Sequence, residues 1–266
     1  MLYLFFWFEA ALITGALYLF IPTLHPAWIL PLLVGGFLAL SILFFCYLAV
    51  TSLFFPKDPP ARPGRFASLS ARLALPWFAS LLGTRIKVVD KKKMPKTHAV
   101  YVCNHRSAFD PVFVMSAFPH RRTAFASKMS VRKYPFIGSY MNASGYVFID
   151  RDSPMQSLRA IHRAAKYVKE QKINYGIFPE GTRSKDGSLL PFKSGAFVLA
   201  KKADVPIAVL TIEGSETAIS RLPFHFPRIK VTVVGTIPVE DVRTLSPDAL
   251  SDRARAMMEA SLSASH

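Results

Sequence analysis

His105 and Asp110, within Asn104-His-Arg-Ser-Ala-Phe-Asp110, set an imidazole and a carboxylate five positions apart. An imidazole takes a hydroxyl proton when a carboxylate fixes its tautomer and stabilises the imidazolium that forms. A second polar block, Phe178-Pro-Glu-Gly-Thr-Arg-Ser184, offers another carboxylate, a glycine and a cation. Together the two blocks suit the activation of a hydroxyl beside an anionic group. Residues five apart on a helix lie about 140° apart around the axis. The pair therefore converges only if His105 sits in a loop and Asp110 begins the next element. The plainer alternative is that Asp110 caps a helix and His105 is a solvated loop residue.

The flanking residues agree with convergence. Residues 97–103 alternate and are rich in β-formers, so they read as a strand ending before Asn104. Asp110-Pro111 reads as an N-cap followed by proline at the first helical position. From residue 85 onward, strand-like runs at 85–89, 99–103, 123–126, 146–149, 175–178, 207–212 and 229–234 alternate with helical runs. The helices are expected at 111–118, 134–142, 154–171, 194–203 and 247–262. Ser153-Pro-Met-Gln156 is a capping box, the clearest helix start in the chain. This alternation predicts an α/β fold, a mixed sheet flanked by helices.

Four segments in order resemble the four blocks of the glycerolipid acyltransferases, and most nearly the bacterial 1-acyl-glycerol-3-phosphate acyltransferase group. They are Asn104–Asp110, Gly145-Tyr-Val-Phe-Ile-Asp-Arg151, Phe178–Ser184 and Val205-Pro-Ile-Ala208, within roughly residues 85–235. The fourth departs from the family, which often has a second proline where Val209 stands. The resemblance implies transfer of a fatty acyl group from a thioester to the free sn-2 hydroxyl of 1-acyl-glycerol-3-phosphate, giving phosphatidic acid. It makes His105 and Asp110 the catalytic pair. Arg151 and Arg183 then face the acceptor's phosphate, and Glu180, Gly181 and Thr182 belong to the acceptor-binding block. Glu180 is expected to hydrogen-bond a glycerol hydroxyl, and main-chain N–H groups near residues 104–107 or at a helix start are the two sources of oxyanion donors. The donor would be acyl-CoA or an acyl carrier protein, with no further cofactor and no metal. Lys193 is either attracted to donor phosphates or simply solvated. Ser107 and Ser184 lack a nucleophile-elbow context, and Cys103 reads as a core residue.

Composition bounds the setting. The chain has 266 residues, 51% hydrophobic, with a formal net charge of +16. Residues 1–56 hold a single acid, Glu9, and no Lys or Arg, so the basic charge belongs entirely to the rest. Two apolar stretches, 2–21 and 28–55, are expected to form a membrane hairpin over residues 1–55, either spanning or dipping into one leaflet. Residues 56–64 read as a linker. Phe66, Leu69, Leu73, Trp77 and Leu81 mark an amphipathic helix within residues 56–84, lying on lipid or covering the core. Residues 85–266 are expected to form the acyltransferase domain. The positive-inside rule places that domain on the cytoplasmic face, in a bacterial inner membrane by the resemblance. Expected partners are a lysophospholipid, the acyl donor and membrane lipid. A pI near 10 without a recognisable motif argues against nucleic acid. Rival readings are acylation of another lysolipid or of glycerol 3-phosphate, and a non-catalytic lipid-binding module.

Overall fold

The computed structural model describes residues 2–150, 153–184, 186–218 and 226–264. Two apolar helices come first, α1 (Leu2–Phe20) and α2 (Ile29–Ser52), followed by α3 (Arg65–Leu81). The remainder alternates as β1 (Arg85–Val89), β2 (Val100–Cys103), α4 (Asp110–Ala117), β3 (Thr123–Lys128), α5 (Ile137–Ala143), β4 (Val147–Ile149), α6 (Pro154–Gln171) and β5 (Asn174–Ile177). It closes with α7 (Val198–Ala203), β6 (Ile207–Glu213), β7 (Arg228–Ile237), α8 (Val239–Thr244) and α9 (Pro247–Ser263).

The seven strands form one mixed sheet in the order β1-β7-β6-β2-β5-β3-β4. Neighbours run parallel except β6 and β7, which are antiparallel with an irregularity between Val209 and Leu210. Central β2 and β5 are buried along their whole length. Strands covered on both faces must be apolar at nearly every position, which is why Val-Tyr-Val-Cys reads without a polar residue. Crevices in such sheets form beyond the carboxyl ends of the strands. The loop carrying His105 leaves β2 at that end.

Boundaries depart from expectation where proline and glycine intervene. The helix anticipated over 134–142 begins only at Ile137, as α5, and a separate 3-10 turn, Met129–Lys133, precedes it. Pro135 disfavours helical backbone in the residue before it, and Tyr134 is extended at φ −67°, ψ 129°. The run at 194–203 likewise splits into a 3-10 turn, Ser194–Ala196, and the short α7. α8 was not anticipated; six residues hold too little periodicity to read. α6 matches its expected bounds, and the Ser153 hydroxyl accepts from the Gln156 N–H at 3.4 Å.

An aromatic cluster binds the first three helices to one another. Trp77 of α3, 2% exposed, meets Phe6 of α1 and Phe44 and Phe45 of α2 edge-on, with ring centroids 5.1–6.0 Å apart. Thr51 Oγ1 of α2 lies 2.5 Å from the Tyr140 hydroxyl of α5, tying α2 to the sheet-bearing part. The segment Pro26–Ser52 is long and apolar enough to cross a membrane; Leu4–Phe20 is apolar but shorter. Leu4, Phe8, Leu12, Leu30, Leu38 and Ile42 point outward from these helices. α3 is amphipathic, with Phe66, Leu69 and Leu73 exposed and Ala67, Ser70 and Trp77 buried. At its far end Phe78 stacks on Phe109 at 5.9 Å, so α3 touches the loop that carries His105.

Candidate active site

Asn104 anchors that loop. Its side chain donates to the Ile212 carbonyl at 3.0 Å and accepts from the Ile212 N–H at 2.7 Å, locking the end of β2 to β6. The chain then turns, and Asp110, fully buried, points back at it. Asp110 Oδ2 accepts the N–H of Arg106 at 2.7 Å and of Ser107 at 2.8 Å, and lies 2.8 Å from His105 Nδ1. An oxygen already accepting two N–H groups acts as an acceptor toward the ring too, so Nδ1 donates and Nε2 carries the lone pair. Among the described residues Nε2 has no hydrogen-bond partner, and the His105 side chain is 17% exposed. Asp110 is the first residue of α4 and Phe109 stands at the cap position. The expected N-cap is thus displaced by one residue, because the Asp110 carboxylate serves the preceding loop instead of α4.

The imidazole is also held by its face. Phe178 stacks on it with centroids 4.1 Å apart and planes 17° apart, and Phe125 stacks on Phe178 at 5.5 Å. Room for Phe125 comes from Gly176, its partner across β3 and β5. A Cβ at Gly176 would lie 2.0 Å from the Phe125 ring. The sequence reading missed this column of Phe125, Phe178 and Gly176. The readable signal is a glycine inside an apolar strand, which marks close approach by a neighbour.

Glu180 stands apart from its expected role toward a glycerol hydroxyl. It is 3% exposed, and its two oxygens accept main-chain N–H groups, His105 at 2.7 Å and Leu190 at 3.0 Å. Burial pushes its carboxyl above the ordinary value, and those two N–H bonds pull the other way. The N–H groups of His105, Arg106 and Ser107 are thereby all taken up by carboxylates. These three are not available to a developing oxyanion, which removes residues 105–107 from the expected donors.

Gly181 closes a turn, its N–H donating to the Phe178 carbonyl at 3.1 Å, with φ +68°. That conformation favours glycine, and a Cβ there would meet Lys193 Cε at 3.2 Å and Nζ at 3.3 Å. Thr182 and Arg183 are exposed, and the Arg183 side chain has no hydrogen bond or ion pair among the described residues. Arg151 lies outside the described residues. The Ser184 N–H donates to the His105 carbonyl at 2.8 Å, joining the two blocks directly. Arg106 adds a further tie, Nη2 donating to the Gly187 carbonyl at 2.8 Å. Burial pushes the Cys103 thiol well up, as suits a core residue. Residues 205–208 sit at the start of β6, where the Pro206 carbonyl accepts the Val100 N–H at 3.0 Å. This is the opposite end of the sheet from His105, about 13 Å away along a four-residue strand.

A family model described as Acyltransferase matches residues 85–213. The 1-acyl-sn-glycerol-3-phosphate acyltransferase alpha of Homo sapiens is 32% identical over 193 residues, 70% of this chain and 67% of that relative. The chain belongs to the glycerolipid acyltransferase family. Another member, the 1-acyl-sn-glycerol-3-phosphate acyltransferase of Saccharomyces cerevisiae, is 32% identical over 173 residues, 64% of this chain; the chain spans 55% of its length. The fold of the family is shared with the crystal structure of PlsC, the 1-acyl-sn-glycerophosphate acyltransferase from Thermotoga maritima. That likeness has a TM-score of 0.57 at 19% identity and covers 96% of this chain and 98% of the other.

Proposed function

We propose that this acyltransferase-family chain moves a fatty acyl group from an acyl thioester to the free sn-2 hydroxyl of 1-acyl-glycerol-3-phosphate, giving phosphatidic acid. The observation that carries the reading is the His105–Asp110 pair, with Nδ1 held at 2.8 Å and Nε2 without a hydrogen-bond partner among the described residues. The acceptor hydroxyl gives its proton to Nε2 as its oxygen bonds to the thioester carbonyl carbon. The tetrahedral intermediate collapses, the C–S bond breaks, and the leaving thiolate takes the proton back from the imidazolium. Asp110 stabilises that imidazolium without itself taking the proton. The relatives' names support the acceptor assignment. Arg183 and, at the end of the second block, Arg151 supply charge for the acceptor's phosphate, because guanidinium binds phosphate oxygens in pairs. Either CoA or an acyl carrier protein suits the donor side.

Residues 1–55 serve as the membrane hairpin, 56–84 as linker and interfacial helix, and 85–266 as the catalytic domain. The exposed apolar flanks of α1 and α2 meet lipid, and the basic remainder faces the cytoplasm, in a bacterial inner membrane. Lysolipid then reaches His105 while its acyl tail stays in the bilayer. Purified protein given labelled acyl-CoA or acyl carrier protein and a panel of lysolipids tests the reaction. Acylation of 1-acyl-glycerol-3-phosphate in preference to other acceptors is expected. No transfer to any acceptor with either donor refutes the assignment.

A further inference from the structure

α9 lies beyond the stretch matched by the family model, which ends at residue 213, yet one of its side chains reaches the segment whose Leu190 N–H bonds Glu180. Arg255 Nη1 donates to the Leu190 carbonyl at 2.8 Å and Nη2 to the Leu189 carbonyl at 3.3 Å. Its Nε donates to Glu259 Oε1 at 2.8 Å, one turn along the same helix, which orients the fork. The guanidinium also stands over the Phe192 ring, 5.7 Å from the centroid. The segment so gripped, residues 188–193, has no regular structure, and Pro191 within it has no N–H to give a ladder.

The next link starts from the same peptide run. The Leu190 N–H donates to Glu180 Oε2, and Glu180 Oε1 accepts the His105 N–H. Glu180 is buried and forms no salt bridge among the described residues, so its charge is met by these N–H dipoles. A carboxylate in that position goes where its donors are, since losing one leaves a buried charge under-solvated. Shifting residues 189–190 therefore shifts Glu180, and with it the main chain of His105. We propose that Arg255 is a positioning residue for His105, acting through Leu190 and Glu180, so that α9 sets the reach of the imidazole toward the reacting hydroxyl. The inference rests on His105 being the general base. Displacements near 1 Å are enough to cost about a hundredfold in rate, even when made far from the reacting atoms.

The test uses the full chain and five variants: Arg255→Met, which keeps the stem and loses the fork, Arg255→Lys, Glu259→Gln, Glu180→Gln and the Arg255→Met/Glu180→Gln double. Steady-state kinetics with each substrate varied separately is combined with deuterium uptake of the peptide covering residues 104–110. Arg255→Met is expected to lower kcat about tenfold or more, with both KM values within about twofold, and to speed uptake at 104–110. Arg255→Lys, which keeps a donor, falls between it and the parent, and Glu259→Gln, whose amide oxygen still accepts from Arg255 Nε, loses less than either. In the Glu180→Gln background Arg255→Met costs less than it does alone, since both act along one path. An unchanged kcat in Arg255→Met, a kcat loss without faster uptake at 104–110, or full additivity in the double variant overturns the proposal. If Arg255→Met does not fold, the same readouts on Arg255→Lys decide. Near-parent turnover by His105→Ala would instead overturn the general-base reading, leaving the two failures distinguishable.

Discussion

Residues 104–110 and residues 181–183 border the same site, and they are built in contrasting ways. In the first stretch the N–H groups of three successive residues, 105 to 107, are taken by buried carboxylates, and the imidazole is held at one nitrogen and across one face. In the second, Thr182 and Arg183 project outward, and the Arg183 guanidinium has no protein partner among the described residues. A proton-transfer group must be in place before the substrate arrives, since its geometry sets the barrier. A phosphate-binding group gains by waiting, because a guanidinium already paired inside the protein would have to give up that pair. On the proposed roles the contrast separates chemistry from recognition, and substitutions on the two sides should separate kcat from KM.

The largest effect is expected on the pre-built side. His105→Ala should lower kcat by about 10²–10⁴-fold with folding and membrane association retained. Asp110→Asn should follow closely, because an amide cannot accept from Nδ1–H and both N–H groups with one charged oxygen. Turnover assays alongside thermal melts check both, and a folded His105→Ala protein with parent turnover would break the comparison outright. Next comes the aromatic column. Gly176→Ala must displace Phe125 and so disturb the stack under His105; about a tenfold fall in kcat at little change in either KM is expected, from misplacement of the imidazole. A loss confined to acceptor KM would move Phe178 to the recognition side.

On the open side, Arg183→Gln should raise acceptor KM about tenfold, the worth of one charge-assisted hydrogen bond, and leave donor KM near its parent value. An effect on the donor alone would reverse the assignment. The smallest effect concerns the turn that follows. The Ser188 hydroxyl and N–H, with Ser184 Oγ, hold the Asp186 carboxyl at about 2, below its ordinary 3.8. A depressed carboxyl stabilises the folded turn above its unfolded value and loses that contribution as pH falls through the folded one. Protection of the Ser188 amide should therefore be constant above about pH 4 and decline toward pH 2. Amide exchange followed over that range checks this, and protection that is flat to pH 2 would show that the Asp186 bonds do not hold the turn.

The recognisable parts of the fold are those governed by local rules. β1 and α6 begin and end where their patterns said, since strand alternation and a capping box are written in adjacent residues. The His105–Asp110 pairing was legible for the same reason: strand, loop and helix start all lie within a few positions. The role of Glu180 was not, because its partners, His105 and Leu190, are chosen by how the sheet brings distant loops together. The stack on Phe178 was hidden likewise. An aromatic between a strand and a polar block looks the same whether it meets core, solvent or an imidazole. Nothing near Arg255 in the sequence signals residues 189–190, which only the packing of α9 supplies.

The strand order carries a cost during synthesis. β2 sits between β5 and β6, and Val100 pairs with Tyr175 on one side and Ile207 on the other. At about 5–20 residues per second, roughly 5–20 s separate the making of Val100 from that of Ile207. Until Tyr175 is made the apolar run Val100–Cys103 has neither neighbour, and until Ile207 is made it still lacks one, an unpaired edge at what will become the centre of the sheet. The aromatic cluster of the first three helices is complete by Trp77. The emerging chain can thus anchor itself early and finish its sheet late. Stalled nascent chains ending before and after β6 should differ sharply in the protease resistance of residues 100–103.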